Sequence, residues 1–130
     1  MKETVELIVV NYNTKKLLAA CLASLRRFSG APETYRLWVV DNASTDGSAA
    51  FIRSLPWVTG LFNRENRGYA AACNQGIKAG NAPYIFILNS DTQVTAGWLP
   101  PLIAALQDPE VAVVGPRLVN PAGYLVGVGV

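Results

Sequence analysis

Short apolar runs alternate along the chain with segments whose apolar residues recur at helical spacing. The apolar runs predict strands at residues 5–10, 35–40, 58–62, 84–88 and 111–114. The segments between them predict helices at residues 15–28, 48–55, 68–79 and 97–106. Strands that alternate with single helices form βαβ crossovers. The pattern therefore predicts a three-layer α/β/α fold with a mainly parallel sheet.

The helical spacing is clearest in the first predicted helix, residues 15–28. Apolar residues three or four positions apart form one stripe there: Leu18, Cys21, Leu22 and Leu25. Either Asn13 or Thr14 is expected to cap its first turn, because both side chains can accept a hydrogen bond from the free backbone N–H groups.

Polar side chains follow four of the predicted strands at the point where each strand ends. Asn11 follows the first strand, Asp41 the second, residues 63–67 the third and residues 89–91 the fourth. Ligands of parallel sheets bind outside the carboxyl ends of the strands, and these ends share one edge. A single Asp or Asn in such a place commonly forms a turn or a helix cap. Two acids with several amides at one edge favour a ligand site.

The fourth polar segment has the composition of a metal site. It places the Asp91 carboxylate two positions after the amide of Asn89. Mg²⁺ or Mn²⁺ typically takes one or two carboxylates and completes its coordination with water and phosphate oxygens. Capping of the next turn is the alternative for Asp91, but Asp41 on the same edge favours a cation held against a phosphorylated ligand.

Composition excludes several kinds of chemistry. With 130 residues, 51% of them hydrophobic and 15% charged, the chain is expected to form one globular domain over residues 1–130. It contains no histidine, which excludes a Ser-His-Asp triad and a histidine-ligated zinc within this chain. The net charge is +2 and there is no Lys/Arg run, so nucleic acid is not an expected partner.

Cysteine use and the amino terminus indicate a cytoplasmic protein. Cys21 and Cys73 are far apart in sequence, and buried reduced thiols are favoured over a disulfide. The first 13 residues include Glu3 and Glu6 and are too acidic for a signal peptide. No apolar stretch approaches the ~18 residues that a transmembrane helix requires. Any membrane association is therefore expected to be peripheral.

Several other α/β folds lack their signatures here. The segment after the first strand, Asn-Tyr-Asn-Thr-Lys-Lys, contains neither the GxxxxGK[ST] of a P-loop nor the GxGxxG of a dinucleotide-binding domain. A receiver domain would cluster acids where this chain has Asn11. A sugar nucleotidyltransferase would carry a Gly-rich loop with Arg or Lys in the same place.

Three stretches together resemble a known family. They are VVNYNTKKLLAACLASL at residues 9–25, VVDNASTDGS at 39–48, and NRENRGYAAACNQGI at 63–77 leading to ILNSDTQV at 87–94. In this order they resemble the nucleotide-sugar-binding, amino-terminal half of a family 2 glycosyltransferase with the GT-A fold. The branch that includes rhamnosyltransferases is the most similar. The resemblance covers essentially the whole chain.

The resemblance implies a role for each residue near the nucleotide base. Asp41 would accept a hydrogen bond from the ring N–H of uracil or thymine, and Asn42 and Ser44 would shape the turn that carries it. Asn11 and Tyr12 would line the base and the ribose.

The resemblance also implies contacts near the diphosphate. Arg67, Gly68 and Asn74 would border the base and the diphosphate-sugar, although Gly68 equally suits close packing of helix on sheet. Asp91 matches the second acid of the family's DxD motif, which holds Mg²⁺ or Mn²⁺ against the diphosphate. Asn89 replaces the first acid and is expected to contact the nucleotide.

The activity implied is metal-assisted, inverting transfer of a hexosyl or rhamnosyl group from a UDP- or dTDP-sugar to a polysaccharide or lipid-linked acceptor. The family's general base and acceptor region lie downstream of this length. The chain is therefore expected to be the donor-binding part of a longer enzyme at the inner face of the membrane, inactive in transfer alone. A non-catalytic GT-A-like binding module is the main alternative, and a sugar nucleotidyltransferase is a weaker one.

Overall fold

The structure is a computed structural model that describes residues 4–127. The described residues form two compact units, one that extends to Val94 and one that begins at Thr95. No helix among residues 4–127 is long and apolar enough to cross a lipid bilayer.

The first unit contains seven elements in alternating order, with a short 3₁₀ turn (Pro32–Thr34) before the second strand. They are β1 (Val5–Asn11), α1 (Lys15–Phe28), β2 (Tyr35–Asp41), α2 (Ser48–Arg53), β3 (Thr59–Phe62), α3 (Tyr69–Ala79) and β4 (Tyr84–Asn89). The second unit contains α4 (Leu99–Leu106), β5 (Leu118–Val119) and β6 (Leu125–Gly127).

The sheet of the first unit has the strand order β3-β2-β1-β4, and each neighbouring pair is parallel. This register places Asn11 of β1 opposite Asp41 of β2. On the other side of β1, Val10 lies opposite Asn89 of β4. The predicted α/β fold with a parallel sheet is confirmed, and the polar strand ends meet at one edge.

Both faces of the central strands are buried. On one face, Val10 and Val40 pack with Ala72 and Cys73 of α3. Close approach of α3 requires glycine at position 76, because a Cβ there would lie 2.5 Å from the Ile8 side chain. The residues of β1 that point to the opposite face are also fully buried, as are the four residues of the predicted stripe on α1: Leu7, Val9, Leu18, Cys21, Leu22 and Leu25. Cys21 and Cys73 are both free and buried, as predicted.

The predicted strand at residues 111–114 is wrong. Residues 111–117 form no regular secondary structure, and the Val113 side chain is 76% exposed. A short apolar run becomes a strand only beside a partner strand, and the antiparallel pair in this unit is instead β5 with β6. The apolar run at residues 123–130 supplies β6, while residues 128–130 lie outside the described residues.

Three predicted helices are shorter in the structure, and the one predicted at residues 68–79 begins at Tyr69. The predicted helix at residues 48–55 ends at Arg53. The predicted helix at residues 97–106 begins at Leu99, because Gly97 has a φ of 74° and lies in the left-handed region.

Candidate functional site

A cleft of about 430 Å³ opens at the carboxyl ends of β1, β2 and β4 in the first unit. Its lining includes five of the residues predicted from the sequence: Tyr12, Asn42, Gly68, Asn89 and Asp91. The remaining lining residues are Val10, Thr14, Leu17, Asn66, Tyr69 and Ser90. The predicted edge of the sheet is therefore a concave surface with mixed polar and apolar walls.

The other predicted site residues lie at different depths. Asn11 and Asp41, next in sequence to two lining residues, are 0% and 2% exposed. Arg67 and Asn74 are exposed and do not line the cleft. Seven of the predicted residues therefore line the cleft or lie next in sequence to a lining residue in the buried strand ends. The other two, Arg67 and Asn74, are exposed before and on α3.

Asp41 is held by a tight set of hydrogen bonds. Its Oδ1 accepts from Asn11 Nδ2 at 2.9 Å and from the Ser44 hydroxyl at 2.7 Å. Its Oδ2 accepts from the Ser44 backbone N–H at 3.0 Å. The turn is closed by Ala43 with a φ of 64°, a conformation that non-glycine residues rarely adopt. A carboxylate offers about four acceptor positions, so Oδ2 retains the capacity to accept from a ligand.

A line of hydrogen bonds joins Asp41 to the loop that carries Asp91. Asn11, which donates to Asp41, accepts from the Thr14 hydroxyl at 2.7 Å. The Thr14 hydroxyl also lies 2.8 Å from the Ser90 hydroxyl. A hydroxyl group can donate one hydrogen bond. Thr14 donates to Asn11, so Ser90 is the donor in its hydrogen bond with Thr14. The line of hydrogen bonds that starts at Asp41 therefore ends at Ser90, the residue directly before Asp91.

The predicted cap of α1 by Asn13 or Thr14 is wrong, because both side chains make other hydrogen bonds. Asp46, from the turn after β2, takes that role. Its Oδ2 accepts from the Lys15 N–H at 2.9 Å, and its Oδ1 accepts from the Ser48 N–H at 3.0 Å, at the start of α2. The hydrogen bond from the Ser48 hydroxyl is the main cause that lowers the pKa of Asp46.

Thr14→Val should lower the free energy of unfolding by about 1–3 kcal/mol. Valine keeps the shape but removes the hydroxyl, and the carbonyl oxygen of the buried Asn11 side chain loses its donor. Urea unfolding followed by circular dichroism measures the change. Thr59→Val, at an exposed position of β3, is the matched control. Equal free energies of unfolding for Thr14→Val and Thr59→Val would contradict the role of the Thr14 hydroxyl in holding the Asn11 side chain.

Asn42 orders the segment that leads into α3. Its side-chain oxygen accepts from Asn63 Nδ2 at 2.9 Å and from the Arg67 N–H at 3.3 Å, and its Nδ2 donates to the Gly68 carbonyl at 3.2 Å. Asn63 in turn exchanges two hydrogen bonds with Gln75 of α3, at 2.8 and 2.7 Å. Gly68 needs the glycine conformation here, since its φ is 84°. Asn42 therefore shapes the cleft wall through its neighbours.

At the end of β4, Asn89 and Asp91 differ in their surroundings. The Tyr69 hydroxyl donates to the Asn89 side-chain oxygen at 2.9 Å. Asp91 is exposed in the cleft. Burial raises the pKa of the Cys21 thiol to about 12, and the nearby Asp91 carboxylate contributes to the rise. Cys21 therefore stays protonated and neutral beneath this part of the site.

The side chains that line the cleft suit a cation whose coordination is completed by oxygens of a bound ligand. Among residues 4–127 there is no group of three or more His, Cys, Asp or Glu side chains that could hold a metal ion. Asp91 is the carboxylate that lines the cleft. Mg²⁺ and Mn²⁺ are compatible with one protein carboxylate when phosphate and water oxygens complete the coordination.

Sequence reasoning missed four residues that build the site: Thr14, Asp46, Tyr69 and Ser90. All four lie inside the quoted stretches, and Ser90 lies between the two motif residues Asn89 and Asp91. Their residue types permit several local roles, including caps and turns. Which hydrogen bond each one makes depends on contacts between distant segments, so the signal was present only as their position in the motifs.

Comparison with solved structures identifies the class of fold. The chain matches a mannosyltransferase of Pyrobaculum calidifontis, solved in complex with GDP-Man and Mn²⁺, with a TM-score of 0.83 and 26% identity. The match covers 94% of this chain and 37% of that one. The sheet and its helices have the GT-A fold of glycosyltransferases.

Comparison of sequences identifies the family. The model of glycosyl transferase family 2 matches residues 6–125, and the chain belongs to this family. A pre-mycofactocin glycosyltransferase of Mycobacterium tuberculosis is 35% identical over 104 residues, which cover 75% of this chain. The succinoglycan biosynthesis protein ExoU of Rhizobium meliloti is 33% identical over 102 residues, also 75% of this chain. The chain spans 21% and 29% of the lengths of these two relatives.

Proposed function

We propose that this chain is the donor-binding part of a longer, inverting glycosyltransferase that uses a nucleotide-diphosphate sugar and a divalent cation. The observation that carries the proposal is the cleft at the strand ends, with Asp41 buried next to one wall and Asp91 exposed within it. Residues 1–130 would form one nucleotide-sugar-binding region. A UDP- or dTDP-sugar with a hexosyl or rhamnosyl group is the expected donor.

The base would bind near Asp41. The free acceptor capacity of Asp41 Oδ2 suits the ring N–H of uracil or thymine. Tyr12 is half exposed in the cleft and offers a ring face against the base or the ribose. Asn11 would act by holding Asp41 in place at 2.9 Å.

The diphosphate would lie between the start of α3 and the end of β4. Arg67 brings a positive charge to the segment that Asn42 holds, and Gly68 lets the backbone come close to a ligand. Asn74, exposed on α3, would border the sugar. Asn89 would contact the nucleotide, and Asp91 would hold Mg²⁺ or Mn²⁺.

A bound divalent cation stabilises the negative charge that grows on the departing nucleoside diphosphate. The related mannosyltransferase, solved with GDP-Man and Mn²⁺, supports metal use. Inversion also requires a base that removes the proton of the attacking hydroxyl. Asp108 accepts from the Glu110 N–H at 2.9 Å in an exposed turn, as expected of a turn residue. The base is therefore proposed to lie outside this chain, which alone would bind the donor without transferring the sugar.

The acceptor is proposed to be a glycan or a lipid-linked glycan at the cytoplasmic face of the membrane. The relative named for succinoglycan biosynthesis supports a glycan product.

Titration with UDP, dTDP and GDP, each with and without Mn²⁺, tests donor binding. Calorimetry should detect binding of at least one of the three, and binding should strengthen with Mn²⁺. Absence of binding for all three in the presence of Mn²⁺ would refute the proposed function.

Asp41→Asn should weaken nucleotide binding about tenfold, equally with and without Mn²⁺, because the lost contact is to the base. Asp108→Asn makes the same chemical change in an exposed turn of the second unit and should leave the affinity unchanged. Thermal melting verifies that both variants are folded at the temperature of the titration. An equal loss of affinity in both variants, or no loss in Asp41→Asn, would refute the proposed contact between Asp41 and the base.

A further inference from the structure

Tyr69 occupies a position in the cleft that the motifs leave without a role. It is the first residue of α3, directly after Gly68, and its side chain is 50% exposed. Its hydroxyl lies 2.9 Å from the side-chain oxygen of Asn89, the last residue of β4. Tyr69 therefore connects two elements that form separate walls of the cleft.

The hydrogen bond decides which way the Asn89 amide faces. An asparagine side chain has one oxygen that accepts and one NH₂ group that donates. The oxygen of Asn89 faces the proton of Tyr69, so its NH₂ group faces away from Tyr69. The described part of the chain offers no acceptor to this NH₂ group, and Asn89 lines the cleft.

The Tyr69 hydroxyl is suited to donate this hydrogen bond throughout the neutral pH range. Burial of the ring raises the pKa of Tyr69, and the neighbouring Cys73 thiol adds to the rise. The hydroxyl therefore keeps its proton throughout the neutral pH range.

We propose that Tyr69 is a positioning residue that orients the Asn89 amide, so that its NH₂ group donates a hydrogen bond to an oxygen of the bound nucleotide. The proposal rests on the proposed donor-binding function and adds a residue to it. It also separates the roles of two neighbours: Asn89 contacts the nucleotide as a donor, and Asp91 holds the cation.

This division gives a physical reason for asparagine where the DxD motif has an acid. A carboxylate at position 89 could accept the hydrogen bond from the Tyr69 hydroxyl, but it would have no N–H group to donate to a ligand oxygen. An amide can accept on one side and donate on the other. While the Asn89 oxygen accepts from Tyr69, the Asn89 NH₂ group therefore remains as a neutral donor for the negatively charged diphosphate.

Tyr69→Phe tests the proposal, because it removes the hydroxyl and keeps the ring. Affinities for UDP, dTDP and GDP are measured with and without Mn²⁺. The variant should bind about three- to tenfold more weakly in both conditions. The ratio of the two affinities should stay the same, since the cation is held by Asp91. Tyr84→Phe, at the opposite end of β4, is the matched control and should bind like wild type.

A double-mutant cycle with Asn89→Ala shows whether Tyr69 acts through Asn89. If it does, adding Tyr69→Phe to Asn89→Ala should cause no further loss of affinity. Additive losses would overturn the proposal and assign Tyr69 a direct contact with the ligand. Unchanged affinity of Tyr69→Phe, or a loss seen only with Mn²⁺, would also overturn it. Absence of nucleotide binding by the wild-type chain would instead refute the proposed function, and this inference with it.

Discussion

Asp91→Asn is expected to abolish the effect of Mn²⁺ on nucleotide binding and to leave metal-free binding nearly unchanged. Asp91 is exposed in the cleft, and the described residues provide no cluster of three or more metal-binding side chains around it. The cation would thus depend on one carboxylate and on oxygens of the ligand. Removing the charge of that carboxylate leaves a neutral amide, which is a much weaker ligand for a hard cation.

The expected loss is large because the interaction joins full charges. Unit charges about 4 Å apart near a protein surface interact by about 4 kcal/mol at an effective dielectric constant near 20. Part of that energy is offset by desolvation, so a loss on the order of 100-fold in Mn²⁺-dependent affinity is expected. Calorimetric titration of UDP, dTDP and GDP across a series of Mn²⁺ concentrations measures it.

Glu65→Gln is the matched control for charge. Glu65 is exposed in the segment between β3 and α3 and does not line the cleft. It should keep the full response to Mn²⁺. A normal response in Asp91→Asn would mean that the cation, if bound, is held elsewhere, and the role of Asp91 would then be refuted.

The second large effect is on stability: Glu6→Gln should lower the free energy of unfolding by about 3 kcal/mol. Glu6 is 3% exposed in β1, at the end of the sheet away from the cleft. Its Oε2 accepts from Trp38 Nε1 at 2.5 Å, and its Oε1 accepts from the N–H groups of Asn81 and Ala82 at 3.1 and 3.3 Å. Gly80 packs against the carboxylate so closely that a Cβ there would overlap it.

The size of the effect follows from the partners of the Glu6 carboxylate, which are all hydrogen-bond donors. A carboxylate accepts at both oxygens, whereas a glutamine replaces one of them with NH₂. In either orientation that NH₂ would face an N–H group, so either Trp38 on one side or the backbone N–H groups of Asn81 and Ala82 on the other would lose their acceptor. Buried unsatisfied groups next to a formerly charged partner are among the costliest changes in a protein interior.

Urea unfolding of two further variants distinguishes the loss of these hydrogen bonds from a general effect of removing a negative charge. Glu33→Gln, in the exposed 3₁₀ turn, should leave stability unchanged. Trp38→Phe removes one donor and leaves the carboxylate with two backbone partners, so its cost through Glu6 should be smaller than that of Glu6→Gln. Wild-type stability of Glu6→Gln would rule out the role assigned to the buried carboxylate.

Much of the first unit could be predicted because its signals are local and strong. Runs such as Val5–Val10 and Tyr35–Val40 are long, apolar and bounded by polar turns, and they became β1 and β2 with small changes at their ends. The stripe on α1 was equally clear and is buried as expected. Parallel pairing then followed from the alternation of strands with helices.

The second unit shows the limit of such signals. The run at residues 111–114 has the composition of a strand, but a strand also needs a neighbour to satisfy its backbone. The chain instead pairs β5 with β6, two segments of two and three residues whose local signals are weak. Pairing between segments cannot be read from either segment alone.

The candidate site divides in the same way. The sequence by itself placed the polar residues that follow β1, β2 and β4 at one edge of the sheet, because the ends of parallel strands lie at one edge whatever the side chains do. Only the tertiary structure decided what each polar group does there. Thr14 links Asn11 to Ser90 and does not cap α1, and Tyr69 turns the amide of Asn89. Hydrogen bonds need partners within about 3 Å in a set direction, and residues as far apart in sequence as Thr14 and Ser90 meet that condition only after the sheet has formed.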